Sequence, residues 1–219
     1  DQNLIMLDGI TVYNPSHLGG IFSNFIVDGV KEAELIKGAY NAEYGGRLSA
    51  VLNVISREGN QKEFKGKANI SLLSAQTTLE GPLPKGAWIL SGRRTYFDLV
   101  LPKVLPDNIA TNIPPYFFYD VQGHIFSDIS SKDRLSLSYY TGIDDILFDT
   151  FGLDGRWGNN TISGHWRRVF SERLVGNFLV ANSKFRTFPA FMGSDIFNNI
   201  NKHKMLPIPC LLYTSDAAD

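Results

Sequence analysis

One cysteine, Cys210, stands among 219 residues, so no disulfide can form within the chain and its redox compartment is not written in it. No stretch approaches the ~18 consecutive apolar residues of a spanning helix. That excludes a helical membrane span but leaves a barrel open, because alternating strands escape hydropathy averaging. There is no basic excess either: 21 Lys and Arg face 22 Asp and Glu, for a net charge of -1. A nucleic-acid partner is therefore not expected. Catalytic motifs are missing as well. There is no Gly-x-Ser-x-Gly, and Tyr44-Gly45-Gly46 is followed by no helix and no Lys-Ser/Thr, so it is not a phosphate loop. An enzyme is not expected. His17, His124, His165 and His203 lie at no metal-ligand spacing from one another or from Cys210, so neither a metal nor a cofactor site is expected. Asp144, Asp145, Asp149 and Asp154 lack the spacing of a calcium loop and read as a solvated loop.

What the chain does have is 20 Gly, 15 Phe and 9 Tyr, a mixture suited to strands and turns. Two textures follow one another. Up to about residue 58, short apolar runs alternate with glycine turns. Leu4–Leu7 reads as a buried strand stopped by the turn pair Asp8-Gly9. Asp28 reads as the N-cap of one helical turn. Ala33–Lys37 reads as a strand on which Glu34 needs a partner, and Leu48–Ile55 as a strand covered on both faces.

From about Phe64 the pattern becomes strict alternation. Tyr119, Val121, Gly123 and Ile125 oppose Asp120, Gln122 and His124; Leu135, Leu137 and Tyr139 oppose Arg134, Ser136 and Ser138; Ile162, Gly164 and Trp166 oppose Thr161, Ser163, His165 and Arg167. About six such strands are expected, near 64–72, 88–97, 119–125, 134–139, 161–167 and 174–185. Counted with their flanking residues, each is expected to span roughly 10 residues, the length with which a tilted strand crosses a bilayer. Short polar turns at Ser130–Asp133 and Ser171–Arg173 contrast with long connections at Leu101–Pro115 and Ile143–Asn160. Short turns at one end and long loops at the other suit an outer-membrane barrel. A soluble β-fold, acting as a ligand-binding or signalling domain without transport, is the alternative.

Three segments in order carry a family resemblance: Leu7-Asp8-Gly9-Ile10 with Val12-Tyr13-Asn14-Pro15-Ser16-His17-Leu18; Val30–Gly38; and Tyr44-Gly45-Gly46-Arg47-Leu48-Ser49-Ala50-Val51-Leu52-Asn53-Val54. They resemble the plug segments of TonB-dependent outer-membrane receptors, in the wording of the Bacteroidetes lineage. Thr11 departs from the usual proline. Leu79–Leu83 and Ser91–Tyr96 resemble, more weakly, the first barrel hairpin of the same group.

The resemblance implies a mainly β chain: the C-terminal part of an α+β plug domain over 1–58, then antiparallel strands of a truncated transmembrane β-barrel over 59–206. Residues 207–219 break the alternation, resemble translated adapter sequence, and are expected to be a non-native tail. The implied function is import of a nutrient ligand (a metal chelate, a cobalamin-like cofactor or a glycan) through a plugged barrel in the bacterial outer membrane. The implied partners are the TonB energy-transducing complex, through a box expected before Asp1, outer-membrane lipid, a small nutrient, and a surface lipoprotein as a further candidate. Tyr13, Asn14 and His17, in a polar-aromatic loop, are the candidate ligand-binding residues, against the plainer reading of a loop packed on the barrel wall. Arg93 and Arg94 are expected to stack against plug carboxylates, and His124 and His165 to line the lumen.

Overall fold

The computed structural model describes residues 3–38, 44, 49–106, 108, 114–148, 153–191 and 208–216. The chain is mainly β. Strands β1 (Leu4–Leu7) and β2 (Ile10–Thr11) form a hairpin across Asp8 and Gly9, both at positive φ (50° and 80°), the backbone a two-residue turn of this hand requires. A short pair follows, β3 (Ser16–His17) and β4 (Phe22–Ser23), then β5 (Val30–Lys37) and β6 (Ala50–Ser56). β6 lies parallel to β1 and antiparallel to β5, giving a four-stranded sheet in the order β2-β1-β6-β5.

The remainder builds one eight-stranded antiparallel sheet. It comprises β7 (Lys65–Ile70), β8 (Ser74–Leu83), β9 (Gly86–Thr95), β10 (Tyr116–Asp128), β11 (Asp133–Phe148), β12 (Leu153–Ser171), β13 (Leu174–Phe191) and β14 (Ile208–Asp216), each paired with its sequence neighbours. A helix, α1 (Phe97–Val104), sits in the connection between β9 and β10. β8 is the strand that alternation did not mark. β14 falls within the tail set aside on its texture, yet pairs with β13. The stretch Ile143–Asn160 is not a long loop: β11 runs to Phe148 and β12 starts at Leu153. Gly45, Gly46, Arg47, Leu48, Asp149 and His203 lie outside the described residues.

Faces follow the alternation. On the large sheet, Phe118, Asp120, Gln122, Ser138, Tyr140, Asp144, Thr161 and Ser163 are buried, while Leu90, Ile125, Leu135, Leu137, Ile162 and Val180 are exposed. The covered face is thus largely polar and the open face apolar, the reverse of a sheet packed on a soluble core. The four-stranded sheet lies on the polar face. Its core of Leu7, Val12, Phe25 and Val54 closes against the ring of Tyr140 from β11, so one hydrophobic cluster spans both sheets.

Two local expectations change and one holds. Asp28 does not cap a helix; it lies inside a 3-10 turn (Val27–Gly29), and its carboxylate accepts from Lys67 Nζ and Gln76 Nε2, each at 2.6 Å. Glu34 is exposed on the edge strand β5 and not buried as an apolar strand would require. β6 is covered on both faces, as expected: Val54 is buried with Leu7 on one face and Val51 with Leu4 and Met6 on the other, and only Ile55 near its end is exposed.

The link between the sheets, 57–64, is fixed by the Arg57 guanidinium, which donates to the Asp28 carbonyl and to Glu80. Gly59 in this link has φ +88°, and a methyl group there would overlap the Trp88 carbonyl oxygen. Gly59→Ala is expected to cost about 1–3 kcal/mol in backbone strain alone. A chemical-denaturation midpoint equal to that of the parent would show that the link is re-routed freely.

Candidate functional site

The two sheets meet most tightly around the turn that carries Tyr13, Asn14 and His17. Pro15 cannot donate to a ladder, so regular pairing stops there and restarts in the small β3–β4 pair, with His17 opposite Phe22. That pair turns the His17 ring toward the large sheet. Nε2 lies 2.8 Å from Asp120 Oδ1 on β10, and Nδ1 lies 2.8 Å from Asp144 Oδ2 on β11. His17, Asp120 and Asp144 are 1%, 0% and 2% exposed.

Further groups close the cluster. Arg93 Nε on β9 donates to Asp120 Oδ2 at 2.9 Å, and its Nη2 donates to the Ser23 carbonyl on β4. The Tyr140 hydroxyl donates to Asp120 at 3.0 Å. The Tyr116 hydroxyl donates to Asp144 and accepts the Leu18 N–H at 3.0 Å. Phe118 stacks flat on the imidazole, with ring centroids 4.0 Å apart and planes 6° apart. Burial by itself pushes the imidazole down. The Asp120 and Asp144 carboxylates outweigh it and hold His17 above its ordinary range.

The site lies at one identifiable end of the large sheet. Tyr116 opens β10 directly after the long β9–β10 connection, and Phe97 of α1 in that connection touches the rings of both Phe22 and Tyr116. The opposite ends of these strands are joined by the short turns at 84–85, 129–132 and 172–173.

The three candidate ligand residues are therefore brought together, and all are held by the large sheet. The Tyr13 and Asn14 N–H groups donate to Asn159 Oδ1 at 3.2 and 3.4 Å, and Asn159 Nδ2 donates back to the Asn14 carbonyl at 2.7 Å. Their side chains are half-buried, whereas both His17 ring nitrogens are occupied. Asp120, Asp144, Arg93, Tyr116, Tyr140 and Asn159 were not singled out as site residues by sequence. The available signal was a carboxylate on the lumen-facing side of each of two neighbouring strands, which demands a partner once the face is covered. Arg93 and Arg94 do not stack on carboxylates of the smaller unit: Arg93 takes Asp120, and Arg94 takes Asp98 in α1. Asp144 is likewise no loop residue. Asp145, beside it, pairs with Arg156 of β12.

Below this cluster, a cavity of about 640 Å³ opens between the sheets, lined among others by Asp8, Glu58, His124, Arg134, His165 and Arg167. His124 and His165 thus face inward, and His124 Nδ1 is 2.8 Å from Ser138 Oγ. Charges of both signs line the space.

No protein-family model and no curated protein matches the chain. Solved structures do. The siderophore receptor PirA from Pseudomonas aeruginosa superposes on 87% of the chain with a TM-score of 0.61 at 15% identity. Two mutants of the ferric enterobactin receptor PfeA from the same organism, one in complex with enterobactin, each superpose on 85% with TM-scores of 0.57 and 0.55, at 17% and 16% identity. The chain spans about a third of the length of these receptors, covering 34%, 33% and 33% of them. It has the fold of a section of such receptors.

Proposed function

We propose that this chain is a section of a TonB-dependent outer-membrane receptor that imports a small nutrient. In this reading residues 1–58 form the end of the plug, and the strands from β7 onward form the first part of the barrel wall. The observation that carries it is the inverted large sheet: polar, ion-bearing groups lie beneath the four-stranded unit, and apolar side chains cover the free face. Lipid is the solvent such a face requires. β11, β12 and β13, with 16, 19 and 18 residues, exceed the roughly 9–11 that a tilted crossing needs. The surplus projects beyond the bilayer at the end bearing the long connection, which is the extracellular one.

His17 then anchors the plug to the wall, and the half-buried Tyr13 and Asn14 lie toward the ligand side of the same turn. Among the ligand classes considered, a ferric siderophore has added support from the names of the structural neighbours; a cobalamin-like cofactor and a glycan remain the other two. The energy source is TonB, and the receptor is not an enzyme. The test is extraction and uptake with the intact receptor in its own membrane. It is expected to leave the membrane only with detergent, and radiolabelled ferric siderophore uptake is expected to stop when tonB is deleted. Recovery in the aqueous fraction without detergent contradicts the membrane reading. Uptake that persists without TonB contradicts the energy coupling.

A further inference from the structure

We propose that His17 is a proton-bearing latch between plug and wall: as an imidazolium it clamps Asp120 of β10 and Asp144 of β11 together, and losing its proton releases the outward turn of the plug. The geometry requires a donor at each ring nitrogen, because each faces a carboxylate oxygen at 2.8 Å. A neutral imidazole has only one N–H, so one carboxylate would face a lone pair in a dry site.

The surrounding charges agree. The groups packed on the ring are Arg93 from β9, Tyr116 and Asp120 from β10, Tyr140 and Asp144 from β11, and the Phe22–Ser23 backbone of β4. Both tyrosines donate their hydroxyl protons to these carboxylates. With His17 protonated, two cations balance two carboxylates; without its proton the cluster carries one uncompensated negative charge away from water. The Phe118 ring flat against the imidazole seals one face and favours the cationic form over the neutral one.

The direction of the pH response follows. The folded protein holds the His17 proton more tightly than the ordinary value of 6.5. The latch is therefore fully formed below that value and is lost as pH rises through the raised one. The attachment concerns this turn alone. Asp28 with Lys67 and Gln76, and Asn159 with Asn14, are separate attachments that involve no histidine.

The experiment uses the intact receptor in detergent micelles, with histidines labelled with ¹⁵N, and amide hydrogen exchange corrected for intrinsic rates. Both His17 ring nitrogens are expected to read as protonated at neutral pH. Between about pH 6 and about pH 9, protection of residues 16–23 is expected to fall at least about tenfold more than that of β1 and β6. His17→Asn is expected to show the weaker protection already at the lower pH, with no added step. His17→Lys, which keeps a cation throughout, is expected to hold the turn without a step, and it identifies the His17 signal even if the asparagine variant does not assemble. A neutral His17 at the lower pH overturns the proposal, as does the same pH step in wild type and the lysine variant.

Discussion

Replacing Asp120 with alanine is expected to detach the Tyr13–His17 turn from the large sheet while leaving the strand ladder intact. The β10 ladder is made by backbone groups that the substitution does not touch. The side chain, by contrast, accepts from His17, Arg93 and Tyr140 at once and is fully buried. Removing it strands a guanidinium and an imidazolium in a dry site. Breaking a buried pair from one side costs about 3–5 kcal/mol, and here the loss falls on the docking of the small sheet on the large one. Because one of the two carboxylates that hold the His17 proton is lost, part of the cost returns as the imidazole gives up its proton more readily. Asp120→Asn keeps an oxygen acceptor and the volume, so a smaller loss is expected. Limited proteolysis of the 11–27 segment reads the difference: cleavage should be fastest in the alanine variant, slower in asparagine and slowest in wild type. Equal rates in all three would show that other contacts hold the turn.

How far the fold could be read from sequence depended on whether the signal was local. The faces of β10, β11 and β12 were legible because alternation is a period-two pattern carried by adjacent residues. The Asp8-Gly9 hairpin was legible because its turn needs two residues that tolerate positive φ. β8 was not: Ser74–Leu83 contains Gly81 and Pro82 and few apolar side chains, so its propensity is poor and its pairing with β7 and β9 decides. The ends of β11 and β12 were hidden for the same reason, since Gly142, Gly155 and Gly158 mimic a loop while sitting in a ladder. The site was half legible. Its turn was found, but His17 meets partners 103 and 127 residues away, and nothing in the local pattern specifies which lumen-facing carboxylates a plug residue will find. The burial of His17 between Asp120 and Asp144 is set by the fold, not by the neighbouring proline turn.

Gly142 shows the same cluster from the wall side and carries the second large effect. It lies on β11 between Tyr140 and Asp144 and shares their inward face. A methyl group built there would overlap the Tyr140 hydroxyl and come within 2.6 Å of Asp120 Oδ1. Tyr140 has no room to yield, since its ring is fully buried against Leu7, Val12, Phe25 and Val54. Gly142→Ala is therefore expected to displace the hydroxyl, break its bond to Asp120 and loosen the contact between the two sheets, at about 1–3 kcal/mol for overpacking. Leaving the Asp120 oxygen short of one donor adds about 1 kcal/mol. Gly164→Ala is the matched control: it lies on the opposite, outward face of β12, and a methyl group there meets nothing within 4 Å. Protease sensitivity of the 11–27 segment should rise in the first variant and stay at the parent level in the second. If the two behave alike, Gly142 is conserving strand flexibility rather than space for the Asp120 cluster.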